Sequence, residues 1–124
     1  MMLDKPAIDF HGLDIEEGWE AAPGAPPGIE QKLLSGELDE RNKVGARTRL
    51  IRFQPGAIAP DQFVHDYWEE VYLISGELIV GNNEKGEGGV PFSPPSYACR
   101  PPGTYHGPFT SKGGCLFFEI QYYA

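Results

Sequence analysis

The sequence predicts an all-β fold, a barrel or sandwich, on three observations. The 16 glycines and 12 prolines among 124 residues are spread as punctuation between short runs rather than gathered into a repeat. The runs between them are short, and the clearest alternate in character from one residue to the next. No stretch of useful length carries apolar residues at helical spacing. About seven short strands separated by turn signals bury one face by closing on themselves or packing on a second sheet.

In chain order, residues 1–28 read as an irregular arm. The segment AAPGAPPG, Ala21 to Gly28, has no lasting period, so the arm is expected to drape over a sheet edge or a partner subunit. A β-barrel domain is expected over 29–124. It opens with IEQKLLS from Ile29, although QKLLSGELDE also allows a turn or two of helix that Gly36 would stop. VGARTRLIRF then alternates Arg47 and Arg49 with Thr48 and Leu50 up to the turn at Gln54 to Gly56. VYLIS, a glycine turn at Gly76 and ELIV read as a hairpin, followed by a loop at GNNEKGEGG. SYACR, the turn at Pro101 to Gly103 and CLFFEIQYY complete the series.

The formal net charge is -8. That works against DNA and RNA, whose binders cluster Lys and Arg to neutralise phosphates. No run approaches the roughly 18 apolar residues of a membrane span, and MMLDKPAIDF lacks the basic-then-apolar order of a secretory signal. A cytoplasmic protein is the expectation. Cys99 and Cys115 accordingly read as reduced thiols within or beside strands.

Of the three histidines, His11 lies in the arm, while His65 and His106 flank turns. Taken singly, either is more often an ordinary hydrogen-bonded imidazole than a ligand. His65 and Glu69 are four apart, which points both to one face of an extended chain. Glu69 also opens an otherwise apolar strand, where an unpaired charge costs several kcal/mol unless it is neutralised, paired or bound to a cation.

The segment Gly56 to Gly76, GAIAPDQFVHDYWEEVYLISG, resembles the first cupin motif, matching closely from His65 through Glu69 to Gly76. PPGTYHGPF resembles the second cupin motif, with Pro101, Gly103 and His106 in place. Together the motifs and the segment between them cover about half of the chain. The resemblance is to the small single-domain RmlC-like cupins, the ChrR-like and acetylacetone-dioxygenase-like group. It implies a jelly-roll β-barrel, a divalent metal held by His65, Glu69 and His106, a small-molecule substrate and a homodimer. Phe63 stands where the family has its first histidine. Gln62, or Asp61, is then the candidate for a further ligand, with Phe63 walling the site. Two imidazoles and one carboxylate suit Fe(II) and also hold Zn, Mn or Ni.

The candidate catalytic residues are Glu119, Tyr105 and Arg49. Glu119 and Gln121 alternate with Phe118, Ile120 and Tyr122, so the pair faces either the cavity as acid-base or hydrogen-bonding groups, or water. Arg47, Arg49 and Arg100 are each either a carboxylate anchor or a surface ion pair. Tyr67, Trp68, Tyr97, Tyr105 and Phe109 are candidates to shape the pocket, or are core. Glu70 is expected on the face opposite Glu69. The reaction expected from the resemblance is dioxygenase-type cleavage of a small oxygenated substrate. An isomerase or lyase using a redox-inert metal, or a binding module without turnover, fits the same residues.

Overall fold

The computed structural model describes residues 5–124. Among these there is no helix, and the strands are β1 (Glu20–Ala21), β2 (Ile29–Asp39), β3 (Val44–Phe53), β4 (Ile58–Ala59), β5 (Trp68–Gly76), β6 (Leu78–Val80), β7 (Val90–Phe92), β8 (Ser96–Arg100), β9 (Phe109–Thr110) and β10 (Cys115–Tyr122). They form two antiparallel sheets, a six-stranded one in the order β1-β2-β3-β10-β5-β8 and a four-stranded one in the order β4-β9-β6-β7. This is the expected all-β jelly roll of two packed sheets, and among the described residues no helix is long and apolar enough to cross a membrane.

Alternation decides what faces inward. In β10 the odd residues Cys115, Phe117, Glu119 and Gln121 are buried while their neighbours are half-buried, as the period of two requires. Ile51 and Phe53 of β3, Val71 and Leu73 of β5, and Phe109 of β9 join Phe117 in one core between the sheets. Cys115 is buried and Cys99 exposed, both as free thiols.

Two expectations are corrected. QKLLSGELD is strand up to Asp39, because Gly36, at φ +79°, lets the backbone come so near β3 that a Cβ would stand 2.0 Å from the Ala46 carbonyl oxygen. The ladder shifts register between Leu33 and Ser35 and continues to Asp39 opposite Val44. VYLIS and ELIV do not form a hairpin either. β5 pairs with β10 and β8, whereas β6 pairs with β9 and β7. Gly76, at φ +82°, is therefore the corner where the chain leaves one sheet for the other. The hairpin is β6–β7, with residues 81–89 as its loop. The short strands β1, β4, β7 and β9 span two or three residues each, too few to show a period.

The arm does drape over a sheet edge. Glu20 and Ala21 pair with Gln31 and Glu30. The Trp19 ring lies under the Arg52 guanidinium at 4.5 Å and near Lys32 Nζ at 5.5 Å. Ala22 is buried in the core. Residues 1–4 of the arm lie outside the described residues.

Candidate metal centre

Three backbone hydrogen bonds bring the two histidines together. Phe63 N–H donates to the His106 carbonyl (2.7 Å), His106 N–H returns the bond (2.9 Å), and Gly103 N–H donates to the His65 carbonyl (2.9 Å). The glycine turn after β8 is thereby clamped to the segment before β5, and the two imidazole centroids lie 4.9 Å apart. Glu69, in β5, points between them. Its Oε2 is 3.7 Å from His65 Nε2 and 3.5 Å from His106 Nε2, and the three ligand atoms lie within 4.8 Å of one another. Two donors at about 2.1 Å from a shared ion stand roughly 3–3.5 Å apart, so the carboxylate–imidazole spacings of 3.5 and 3.7 Å are slightly wide, and the groups would draw in to hold one small cation.

The tautomers suit it as well. His65 Nδ1 is 3.0 Å from the Tyr67 carbonyl and His106 Nδ1 is 3.0 Å from the Thr104 carbonyl. A carbonyl only accepts, so each Nδ1 carries a proton, and in the neutral rings each Nε2 turns a lone pair inward. His65 Nε2 is buried without a hydrogen-bond partner. Leaving such an atom unsatisfied is unfavourable, and a metal ion would satisfy it.

Glu69 is also one member of a row across four strands. Arg47, Gln121, Glu69 and Arg100 stand directly opposite one another on β3, β10, β5 and β8. Arg47 Nε donates to Gln121 Oε1 (2.8 Å), Gln121 Nε2 to Glu69 Oε1 (2.9 Å), and Arg100 to Glu69 Oε2 (2.9 Å). Burial pushes the Glu69 carboxyl up, but His65, the Gln121 amide and the Arg100 charge outweigh it and hold the group at about 2. It is a carboxylate whenever the protein is folded near neutral pH. Burial pushes His65 down, and the Glu69 carboxylate beside it more than offsets this, so its pKa is raised; burial prevails at His106, whose pKa is lowered.

Glu119 lies one step along β10. It faces a cavity of about 150 Å³ shared with His65, Glu69 and His106. Arg49 Nε is 2.9 Å from its Oε2 and also donates from Nη1 to Gln31 Oε1 (2.7 Å). Burial, and next the charge of Glu69, push Glu119 up to about 7 against the pull of Arg49. A raised carboxyl keeps its proton in the folded state to higher pH than in the unfolded chain. Its contribution to stability is therefore complete below the ordinary value of 4.5 and is lost as pH rises through about 7. In metal-free protein, Glu119→Gln is expected to gain thermal stability relative to the wild type between pH 5 and 8, roughly the span of that titration. Melting curves across the range check this, and a constant gap between the two proteins would contradict it.

The structure thus gathers His65, Glu69, His106, Glu119, Arg49 and Arg100 around one cavity. Two expected site residues lie elsewhere. Gln62 is exposed, as is Asp61, because the bridge between Phe63 and His106 turns Phe63 inward and its sequence neighbour outward. Tyr105 is 67% exposed, next to His106 and turned out by the same bridge. Among the other aromatics, Tyr67 stacks on His65 with centroids 3.9 Å apart, and both Tyr67 and Phe109 line the cavity. Trp68 instead stacks on Tyr122, and Tyr97 is 62% exposed. Glu70 points away from Glu69 and accepts hydrogen bonds from Tyr97 and Tyr122. The row of partners around Glu69 was not read from the sequence. Its one signal was the charge on an apolar strand, which called for some partner without naming it.

Residues 15–123 match the family described as the ChrR cupin-like domain. The chain belongs to that family. Its fold is similar to an acetylacetone dioxygenase from Acinetobacter johnsonii (TM-score 0.65, 20% identity, covering 94% of this chain and 75% of that one). It is also similar to KdgF from Halomonas sp. (0.65, 19%, covering 94% and 96%) and to an RmlC-like cupin from Shewanella frigidimarina (0.62, 20%, covering 94% and 93%). Among curated proteins none matches the sequence. In this ChrR-like cupin, Phe63 occupies the wall beside the three candidate ligands, with its ring stacked 6.0 Å from His106 and 6.2 Å from Phe109.

Proposed function

We propose that this ChrR-like cupin is a metal-dependent enzyme acting on a small oxygenated organic molecule, with dioxygenase-type oxidative cleavage as its reaction. The observation that carries the reading is the convergence of two Nε2 lone pairs, one of them buried and unpartnered, on the Glu69 carboxylate at a cavity wall. A divalent ion held by His65, Glu69 and His106 supplies Lewis acidity toward a chelating oxygen ligand and, as Fe(II), reactivity toward dioxygen.

The protein's own residues set the conditions. Phe63, Phe109 and Phe117 give the cavity apolar walls, which exclude water and strengthen every charge interaction inside. The volume of about 150 Å³ suits a molecule about the size of benzene. Glu119 titrates near neutrality and faces the same space, so it can take a proton from a bound carbon acid and return one to product. Arg49 holds that carboxylate in place.

One observation favours a second reading, a ligand-binding module without turnover: Arg100 and Gln121 already satisfy Glu69 without any ion. Metal content of the untagged protein by plasma mass spectrometry, followed by oxygen uptake with 1,3-dicarbonyl compounds, decides between them. About one iron per chain with oxygen consumption supports the dioxygenase. Stoichiometric zinc, manganese or nickel without oxygen consumption supports isomerase or lyase chemistry. No metal after reconstitution leaves the binding module. A homodimer in the cytoplasm is part of the proposal, and light scattering of the purified protein tests the dimer.

A further inference from the structure

We infer that Arg100 anchors an anionic group beside the metal centre, so that the site selects small oxyanions, a carboxylate or an enolate, over neutral analogues of the same shape. The inference rests on the metal-binding reading above and adds the charge of the ligand to it.

Position comes first. Arg100 closes β8 directly opposite Glu69, and its Nη1 lies 2.9 Å from Glu69 Oε2, the oxygen that faces both imidazoles. Its side chain is 15% exposed and its guanidinium carbon stands 5.5 Å from the centre of the Phe109 ring. A ligand bound to an ion at this centre is therefore within reach of a fixed cation. The contact with Glu69 uses one N–H, whereas a guanidinium carries a planar fork of several that matches the two oxygens of a carboxylate or of an enolised dicarbonyl.

Charge balance comes second. Of the ionisable side chains lining the cavity, Arg49 is paired with Glu119, Arg100 is paired with Glu69, and His65 and His106 turn lone pairs inward. With Glu119 ionised, the empty cavity is thus balanced. A divalent ion adds two positive charges with no further carboxylate to meet them, because the wall position beside the ligands is Phe63. Excess charge in a half-enclosed cavity with apolar walls on one side is unfavourable until a counter-charge enters, and the cavity leaves that part to the ligand. Arg47, which reaches Glu69 only through the neutral Gln121 amide, adds to the positive field.

The test uses the full chain loaded with Co(II), whose visible spectrum reports both occupancy and ligand entry, and compares pyruvate with pyruvamide, which has nearly the same shape without the charge. Wild type is expected to bind pyruvate about tenfold or more tightly than pyruvamide, the scale of one charge-assisted contact. At saturating Co(II), Arg100→Gln should bring the two affinities closer together, and Arg100→Lys, which keeps the charge, should retain part of the preference. Equal affinities in wild type, or an undiminished preference in Arg100→Gln, would overturn the inference while leaving the metal reading intact. Failure of wild type to take up Co(II) would overturn both. If Arg100→Gln does not fold, Arg100→Lys decides: a preference for pyruvate smaller than that of wild type is expected of it, and an undiminished one would overturn the inference.

Discussion

Replacing His65 and His106 together by alanine is expected to take metal content from about one ion per chain to below about one-tenth. A site with two imidazoles and one carboxylate already has fewer ligands than the four of a closed structural centre. Without the imidazoles, Glu69 alone remains, and its carboxylate is engaged by Arg100 and Gln121. The fold should survive. The clamp between Phe63 and His106 is made by backbone atoms that alanine retains, and both imidazoles sit at the cavity wall rather than within the main hydrophobic core. Plasma mass spectrometry of the variant beside wild type, with circular dichroism as the control for folding, measures the effect. Unchanged metal content in a folded double variant would show that the ion, if any, is held elsewhere.

The same clamp shows which parts of the site were legible in the sequence. His65, Glu69 and His106 stood at motif spacing, and the glycine turn at Gly103 that delivers His106 is local. Phe63 was legible as an absence. The misplacement of Gln62 and Tyr105 came from reading nearness in sequence as nearness in space, although each adjoins a residue of the inward-facing Phe63–His106 bridge and alternation sends it the other way. From the sequence, Arg100 reads as a carboxylate anchor or a surface ion pair, and Gln121 as a group that faces the cavity or water. Their meeting with Glu69 depends on the register of β10 and β8 against β5, and register is set by pairing across the whole sheet rather than by any local run. Gly76 was misread for a related reason. A positive-φ glycine serves a hairpin turn and a sheet corner equally well, and only the partner strands distinguish them.

Glu69→Ala is expected to lower stability by about 3–5 kcal/mol as well as abolish metal binding, because it strips the partly buried Arg100 charge of its partner and leaves the buried Gln121 amide without its acceptor. In a domain of this size that is a fall in melting temperature of roughly 10–20 °C. The carboxylate meets three needs at once: it faces the imidazoles, neutralises Arg100, and accepts from Gln121, which is 1% exposed. Alanine leaves the guanidinium and the amide without an acceptor. Glu69→Gln offers a neutral oxygen to one of them, so it should recover part of the stability while binding metal no better, since an amide is a poor ligand for a divalent ion. Removing both partners in Glu69→Ala with Arg100→Met should be milder than the alanine change alone, because no buried charge is then left behind. Thermal denaturation of the metal-free proteins measures these differences without any contribution from the ion. If Glu69→Ala melts within a degree or two of wild type, the row from Arg47 to Arg100 contributes little to the fold, and the carboxylate's place on an apolar strand is explained by the metal alone.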